Sequence, residues 1–413
     1  MNKPRLLTGS RIPPYLFVVL ALAFSFQVSS LGFGRFAYTA LLPGMKSDLA
    51  LSNTHMGFLQ VGLLTGYLLF AYLCGACVKR WGLAAVINGS VITGGIAMAV
   101  LGLADRFVLC LPLAIIIGAG AAGGYIPLVP LIIGWSSTRR SGSALGFAIS
   151  GSGASIVFVG WLSPLLFSRF GLTGWRYGWL ILGTLTVLTG LVGLFLLKEN
   201  PTAPGPLPAG QVRSPLRTLL ASPALRLLLA VYLLVGFGYI IYATFVVAYA
   251  IEEIGLTPGA AGTVWSSYGM AALLGCFFWG ALADRFERKN VATADLLLLG
   301  MAVLLGILWK TPTGLSLSAV LFAFAFNGFV TLVTALFGDH LPMAQLSRIF
   351  GLSTLIHGLG QAVGVGLAGW LKDLTASFTV PFLLAALAIG ACPVLLRFLK
   401  ESPGRGNEPQ PRT

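Results

Sequence analysis

The residue with the most chemical potential in this sequence is Arg35, which follows Gly32-Phe33-Gly34 in an apolar run from Pro14 to Leu42. An arginine at the centre of a bilayer costs about 2.5–3.5 kcal/mol on insertion scales. Its guanidinium must therefore face water, a partner or the headgroups. A planar fork of donors there suits a carboxylate; the plainer reading is snorkelling from a span that ends near Gly34. Tyr38 lies about one turn further on. His357 sits near the middle of another apolar run, with Gln361 one turn beyond. Histidine titrates near neutral pH, and it also serves as a hydrogen-bonded packing residue. Tyr125, Tyr239, Tyr242 and Asn327 put polar tips into further apolar runs. Each is readable as packing, and together they could line a binding site.

Other chemistries find no support. Cys74 and Cys77 form a C-x-x-C, but no second pair or histidine cluster completes a zinc site. Gly118-x-Gly120-x-x-Gly123 spells a dinucleotide pattern inside an apolar run, with no strand before it. Small residues at membrane helix contacts explain it better. No Ser/His/Asp set, H-x-x-E-H type motif or P-loop occurs, so neither an enzyme nor a cofactor or metal is expected.

These residues need elements that hold them at membrane depth. Of the 413 residues, 57% are hydrophobic and 9% charged, where a soluble domain has about 25% charged. The solvent must largely be lipid. A crossing helix takes about 20 apolar residues. Such runs fall at 14–42, 54–77, 83–104, 107–133, 142–166 and 174–197, then at 225–251, 260–282, 291–309, 314–337, 347–371 and 377–399. The fold expected is an all-α membrane protein with twelve transmembrane helices in two six-helix halves. The first run is too long for a signal core and is expected to be retained.

The net charge of +14 is not a nucleic-acid signal, because the basic residues sit in short clusters between apolar runs. With twelve spans both termini share a side. That side carries 19 Lys and Arg residues against 6 on the other, which makes it cytoplasmic. The expected organisation is an N-terminal half at 1–197, a cytoplasmic linker at 198–224, a C-terminal half at 225–399 and a disordered cytoplasmic tail at 400–413. The linker assignment rests on Pro201, Pro204, Pro206, Pro208, Pro215 and Pro223.

The halves repeat. Gly32-Phe33-Gly34 echoes Gly236-Phe237-Gly238, and Tyr38 echoes Tyr242, at an offset of 204. Gly75-Ala76 before Lys79-Arg80 echoes Gly280-Ala281 before Asp284-Arg285, and Gly146 echoes Gly351, at 205. Two six-span halves in tandem form a parallel repeat.

Gly280-x-Leu282-Ala283-Asp284-Arg285-Phe286-x-Arg288-Lys289 resembles the signature loop of the major facilitator superfamily. There Gly280 would permit close helix approach, Asp284 would cap a helix or pair with an arginine, and Arg285 and Arg288 would reach phosphates or facing acids. The resemblance implies a conformational latch made of Gly75, Arg80, Gly280, Asp284, Arg285 and Arg288. The first-half copy departs, with Lys79 where the family has Asp, and implies a weaker latch.

Within the superfamily, Gly32 to Thr39 with Leu41-Leu42-Pro43, Gly238 to Phe245, and Gly358-Leu359-Gly360-Gln361-Ala362-x-Gly364 resemble the bacterial YbfB/YjiJ-type branch. Trp135 through Arg139-Arg140-x-Gly142 to Gly153 is also similar to the monocarboxylate and oxalate/formate branch. That branch places an arginine in span eight, and residues 260–282 have none. Drug/proton antiporters place Gly-Pro in span five, and 142–160 lacks it.

The resemblance implies a bacterial inner-membrane secondary transporter working by alternating access, with spans one, four, seven and ten lining its cavity. No Asp or Glu lies mid-span in those four, which favours a small organic anion such as a monocarboxylate. The alternative is a multidrug or sugar efflux permease, and a membrane-embedded enzyme is a remote one. The expected partners are a small-molecule substrate, with proton coupling left open, and the lipid bilayer. No nucleic acid is expected, and the chain is expected to be a monomer.

Overall fold

A backbone in hydrocarbon has no water to bond, so a spanning chain has to satisfy its own N–H and C=O groups. This chain does so with helices. The computed structural model describes residues 14–136, 141–200, 221–340 and 346–399, and among the described residues there is no strand. Most of the linker and all of the tail expected from the sequence lie outside the described residues, as do residues 1–13.

Span one is three pieces: α1 (Pro14–Phe26), a π-helix (Gln27–Phe36) and α2 (Ala37–Asp48). Then come α3 (Asn53–Trp81), α4 (Leu83–Leu101), α5 (Phe107–Tyr125), α6 (Leu128–Trp135), α7 (Ser141–Phe170) and α8 (Gly174–Leu196). After the linker follow α9 (Pro223–Glu252), α10 (Pro258–Arg285), α11 (Arg288–Leu308), α12 (Pro312–His340), α13 (Leu346–Thr375) and α14 (Thr379–Arg397). Among the described residues, eleven segments are long and apolar enough to cross a membrane. One of them, the 54 residues Ser143–Leu196, holds both α7 and α8, joined by a 3-10 turn at Gly171–Thr173. The set is consistent with the twelve spans expected.

The ends of these helices follow from local sequence. Pro223 and Pro258 stand in the first turn, where no N–H is needed. Ser222 and Thr257 just before them accept from the amides of Leu225 (3.4 Å) and Ala260 (3.3 Å). Span four, expected as one helix, is interrupted between Tyr125 and Leu128. Pro127 at the junction has no N–H and crowds the carbonyl four residues back. Large apolar side chains such as Phe17, Phe195 and Leu308 point outward, as they do where the surrounding solvent is lipid.

By its packing the chain divides into two compact units: Met1–Leu51 with Phe58–Pro208, and Ser52–Gly57 with Ala209–Thr413. In the first, α4 packs on α8 and α5, and α7 packs on the π-helix. In the second, α11 packs on α14 and α12, and α13 packs on α9. These are repeat-related pairs, so the repeat read from glycines is a repeat of packing.

The dinucleotide-like glycines of α5 do what small residues do in membranes. A Cβ on Gly118 would lie 1.9 Å from the Leu63 carbonyl oxygen. One on Gly120 would lie 2.7 Å from the Gly94 Cα. In the first unit, Asp48 joins α2 to α8: it accepts from Arg176 Nε at 2.9 Å and from Trp175 Nε1 at 3.0 Å. Arg176 Nη1 also donates to the Ala104 carbonyl at 2.7 Å, so one partly buried ion pair ties three segments.

Candidate functional site

The first cluster begins with the π-helix. Its sequence, Gln-Val-Ser-Ser-Leu-Gly-Phe-Gly-Arg-Phe, places serines and glycines where an α-helix is easily widened. Ser30 Oγ donates to the Phe26 carbonyl at 2.6 Å, a back-bond that competes with the α-helical amide. From α8, Thr186 Oγ1 donates to the Leu182 carbonyl of its own helix at 2.7 Å and lies 3.2 Å from the Ser29 carbonyl. Gly32 leaves room for Ser155 of α7, whose Oγ is 2.1 Å from where a Cβ would stand. A π-helix closes its bonds five residues apart, so each residue advances by less rotation than in an α-helix. The side chains at its far end therefore face a different direction from those of an unbroken helix.

At that end stands Arg35. Its guanidinium carbon lies 5.7 Å from the Tyr67 ring centroid and 5.9 Å from that of Phe36, both within cation–π reach. Arg35 lines a small cavity with Gly34, Gln60, Leu63, Leu64, Tyr67, Gly118 and Ala121. Gln60 and Tyr67 come from α3, two turns apart on one face, and were not among the residues singled out from the sequence. The signal that could have found them was their place in span two, three and ten residues beyond Gly57. Tyr125 is half-buried at the end of α5. Tyr38 is elsewhere: it is buried in a separate apolar cavity with Met45, Leu59, Leu101, Cys110 and Trp179.

The second cluster is aromatic and belongs to the other unit. Tyr239 stacks on Phe326 with ring centroids 3.6 Å apart and planes 4° apart. His357 packs edge-on to Tyr232 at 5.5 Å and parallel to Tyr239 at 6.4 Å. His357 Nδ1 is 2.9 Å from the Tyr232 carbonyl. A carbonyl only accepts, so Nδ1 carries the hydrogen. The approach needs Gly236, because a Cβ there would be 2.5 Å from the His357 carbonyl oxygen. Gln361 is buried one turn on. Asn327 Nδ2 donates to the Ala323 carbonyl at 2.9 Å.

Tyr242 is turned into the core. Its hydroxyl is 2.6 Å from Ser318 Oγ, and Ser318 donates to the Ala302 carbonyl at 2.6 Å. With the serine hydrogen so used, Tyr242 is the donor. The structure thus brings Tyr239 and His357 together, with Tyr232 and Phe326 added, and puts Tyr242 in a packing network.

Of the loop residues, Arg288 does reach a facing acid: its Nη1 lies 2.6 Å from Asp339 Oδ1. Arg285 is exposed, and so is Arg80, whose guanidinium lies 5.5 Å from the Trp81 ring. The side chain of Asp284 lies outside the described residues. Among the described residues, a Cβ at Gly280 would have only Thr331 Cγ2 nearby, at 3.9 Å, an ordinary contact rather than the close approach expected. Among the same residues nothing lies within 4 Å of one at Gly75. Both glycines stand near the ends of their helices, beyond the tightest packing.

Comparison with known proteins gives likenesses of three kinds, to a family, to individual proteins and to a solved structure. The family described as the uncharacterised MFS-type transporter YbfB matches residues 27–397. Monocarboxylate transporter 12 of Rattus norvegicus is 29% identical over an alignment of 329 residues that covers 71% of this chain and 66% of that protein. The hexuronate transporter of Bacillus subtilis is 23% identical over 429 residues, 96% of each chain. A crystal structure of a D-xylose-proton symporter has a TM-score of 0.76 at 15% identity, covering 94% of this chain and 98% of that one; this shows likeness of fold alone.

Proposed function

Because the chain belongs to the family of MFS-type transporters described as YbfB, we propose that it moves a small organic anion such as a monocarboxylate by secondary, alternating-access transport. The family and the relatives are transporters rather than enzymes, and the chain is a multi-pass membrane protein. The observation that carries the anion reading is the Arg35 guanidinium in a small cavity beside Gln60 and between two aromatic rings. A guanidinium offers a carboxylate two parallel charge-assisted bonds. The rings hold the fork's plane, and Gln60 adds a neutral donor and acceptor. Two relatives are named for monocarboxylates and hexuronate, both anionic, which agrees with a cationic anchor.

In this reading the two packing units are the six-helix halves, and they exchange access between the two faces of a bacterial inner membrane. Both termini are cytoplasmic, as the 19-to-6 distribution of basic residues asks. The chain works as a monomer. The Arg288–Asp339 pair belongs to the second-half latch, and Tyr239 and His357 are the second unit's own substrate-facing pair.

The test is a thermal-shift screen of the purified protein against small acids, sugars and cationic drugs, run on wild type and Arg35→Gln. Stabilisation by acids that disappears in the variant is expected. Stabilisation by drugs or sugars that survives the substitution would move the reading to an efflux or sugar permease.

A further inference from the structure

The helices α11 and α12 enclose a carboxyl group that neither cluster uses. Asp295 is the eighth residue of α11, about 10 Å along the axis from its start. It is fully buried, at 0% exposure. Neither carboxyl oxygen has a hydrogen-bond partner among the described residues. The room comes from Gly328 on α12, where a Cβ would lie 2.8 Å from Asp295 Oδ1. The Trp279 indole of α10 leans over the same glycine, with Cδ1 2.2 Å from that position. Its Nε1 is also buried without a partner among the described residues. A carboxyl and an indole thus meet over one glycine, and neither has a hydrogen bond among those residues.

The charged groups around it are engaged elsewhere or stand at helix ends. On α11, Arg288 pairs with Asp339 of α12, and Lys289 donates to the Leu399 carbonyl at 2.6 Å beyond α14. Asp284 and Arg285 stand in the last turn of α10, and Arg397 ends α14. Cys392, the titratable group within α14, lies against the Ala388 and Val231 carbonyls. None of these forms an ion pair with Asp295 among the described residues. A buried carboxylate without a counter-charge or hydrogen bond is so costly that the group neutralises instead.

The repeat shows that packing alone does not ask for an acid. At the offset of 205, Asp295 and Gly328 correspond to Ser90 and Gly123. The geometry recurs there: a Cβ on Gly123 would lie 2.1 Å from Ser90 Oγ. A small polar side chain over a glycine is what the architecture needs, and the first unit fills the place with a hydroxyl. The second unit fills it with a group that can bind and release a proton.

We propose that Asp295, enclosed by Trp279 and Gly328, is a proton-binding site set within the second unit. With the space closed, the carboxyl is protonated. When α10 to α12 part enough to admit water or to bring the indole N–H onto the carboxylate, the proton leaves to water and the charge is held. That this exchange drives substrate movement rests on the transporter reading above; the site itself does not.

The test begins with infrared spectra of the purified protein in lipid, recorded across pH without substrate. A protonated carboxyl C=O band that persists above neutral pH is expected in wild type. It should shift when aspartate is carbon-13 labelled, and be missing in Asp295→Asn and Asp295→Ser. The serine variant copies Ser90, so it is the one built to fold, and the labelled wild type needs no variant. Absence of a shifting band in wild type overturns the proposal. So does a band that never titrates up to the pH of unfolding, since a permanently neutral acid exchanges nothing. In proteoliposomes, a pH gradient should drive accumulation of a labelled monocarboxylate by wild type and not by Asp295→Ser, while exchange continues in both. If the band titrates and wild type moves no acid, the site stands and the substrate reading falls.

Discussion

Span one and span seven carry the same Gly-Phe-Gly and are built differently. Span one contains a ten-residue π-helix that ends at Phe36, whereas α9 runs unbroken from Pro223 to Glu252. Both glycines that open the motif admit the neighbouring repeat-related helix, α7 in one unit and α13 in the other. What Gly32 admits is a serine side chain, and what Gly236 admits is the His357 backbone and ring. Serine hydroxyls near the first motif bond back to carbonyls, and aromatic rings crowd the second. The difference teaches that one packing motif serves helix contact in both units, while the residues around it leave an arginine-lined cavity in one and an aromatic cluster in the other.

The comparison breaks most sharply at Arg35. Arg35→Gln should weaken anion binding by about 1.5–3 kcal/mol, ten-fold or more, as the loss of a charge-assisted bond does. Arg35→Lys should restore only part, since an ammonium lacks the planar fork. Calorimetric affinities at matched folded amounts check this; equal affinity for the glutamine variant would remove the main support for an anionic substrate.

Next come the two glycines. Gly236→Ala drives a methyl into the His357 carbonyl, and should cost about 1–3 kcal/mol of stability as overpacking does. Gly32→Ala meets a side chain instead, so Ser155→Gly should rescue it. No side-chain truncation should rescue Gly236→Ala. Melting temperatures of the single and paired variants separate the cases, and rescue of both would mean that the two contacts are alike.

A smaller effect is expected at Tyr242. Tyr242→Phe removes the bond to Ser318, which keeps its bond to Ala302; the loss should be about 0.5–1.5 kcal/mol of stability. Substrate affinity should not change, and a fall in affinity would put the hydroxyl back in the binding path. The smallest concerns the loops. Arg288→Ala breaks a partly buried pair and should lose roughly 0.2–1 kcal/mol, while exposed Arg80→Ala should lose less. If uptake assays show Arg80→Ala slowing the cycle as much as Arg288→Ala, the first-half latch is not the weaker one.

Much of this was legible in sequence, for physical reasons. Spans are written in hydropathy because lipid leaves no alternative, and the repeat is written in glycines because close helix contacts tolerate nothing larger. The break at Pro127 was missed, although the proline itself carried it. So was the π-helix: Gln27 to Phe36 reads as one apolar helical run at either pitch, and the neighbours it packs against, Ser155 and Thr186, lie far off in sequence. Tyr242 looked like a binding residue because its partner, Ser318, lies 76 residues away. Asp295 looked like a residue near a span end; its burial is decided by the absence of a side chain at Gly328. Gly280 was read from a motif, and among the described residues its nearest neighbour is Thr331, at an ordinary contact distance.

The π-helix has a mechanical consequence. A segment closed by bonds to the fifth residue holds more residues per turn than an α-helix does. Span one therefore stores surplus chain in its middle, like a coil wound with slack. Tightening Gln27–Phe36 to α-helical pitch would lengthen the span and swing Arg35 around its axis, with no residue leaving the helix. The unbroken α9 has no such reserve. Of the two repeat-related spans, the one that carries the cation is also the one that can change its length and twist.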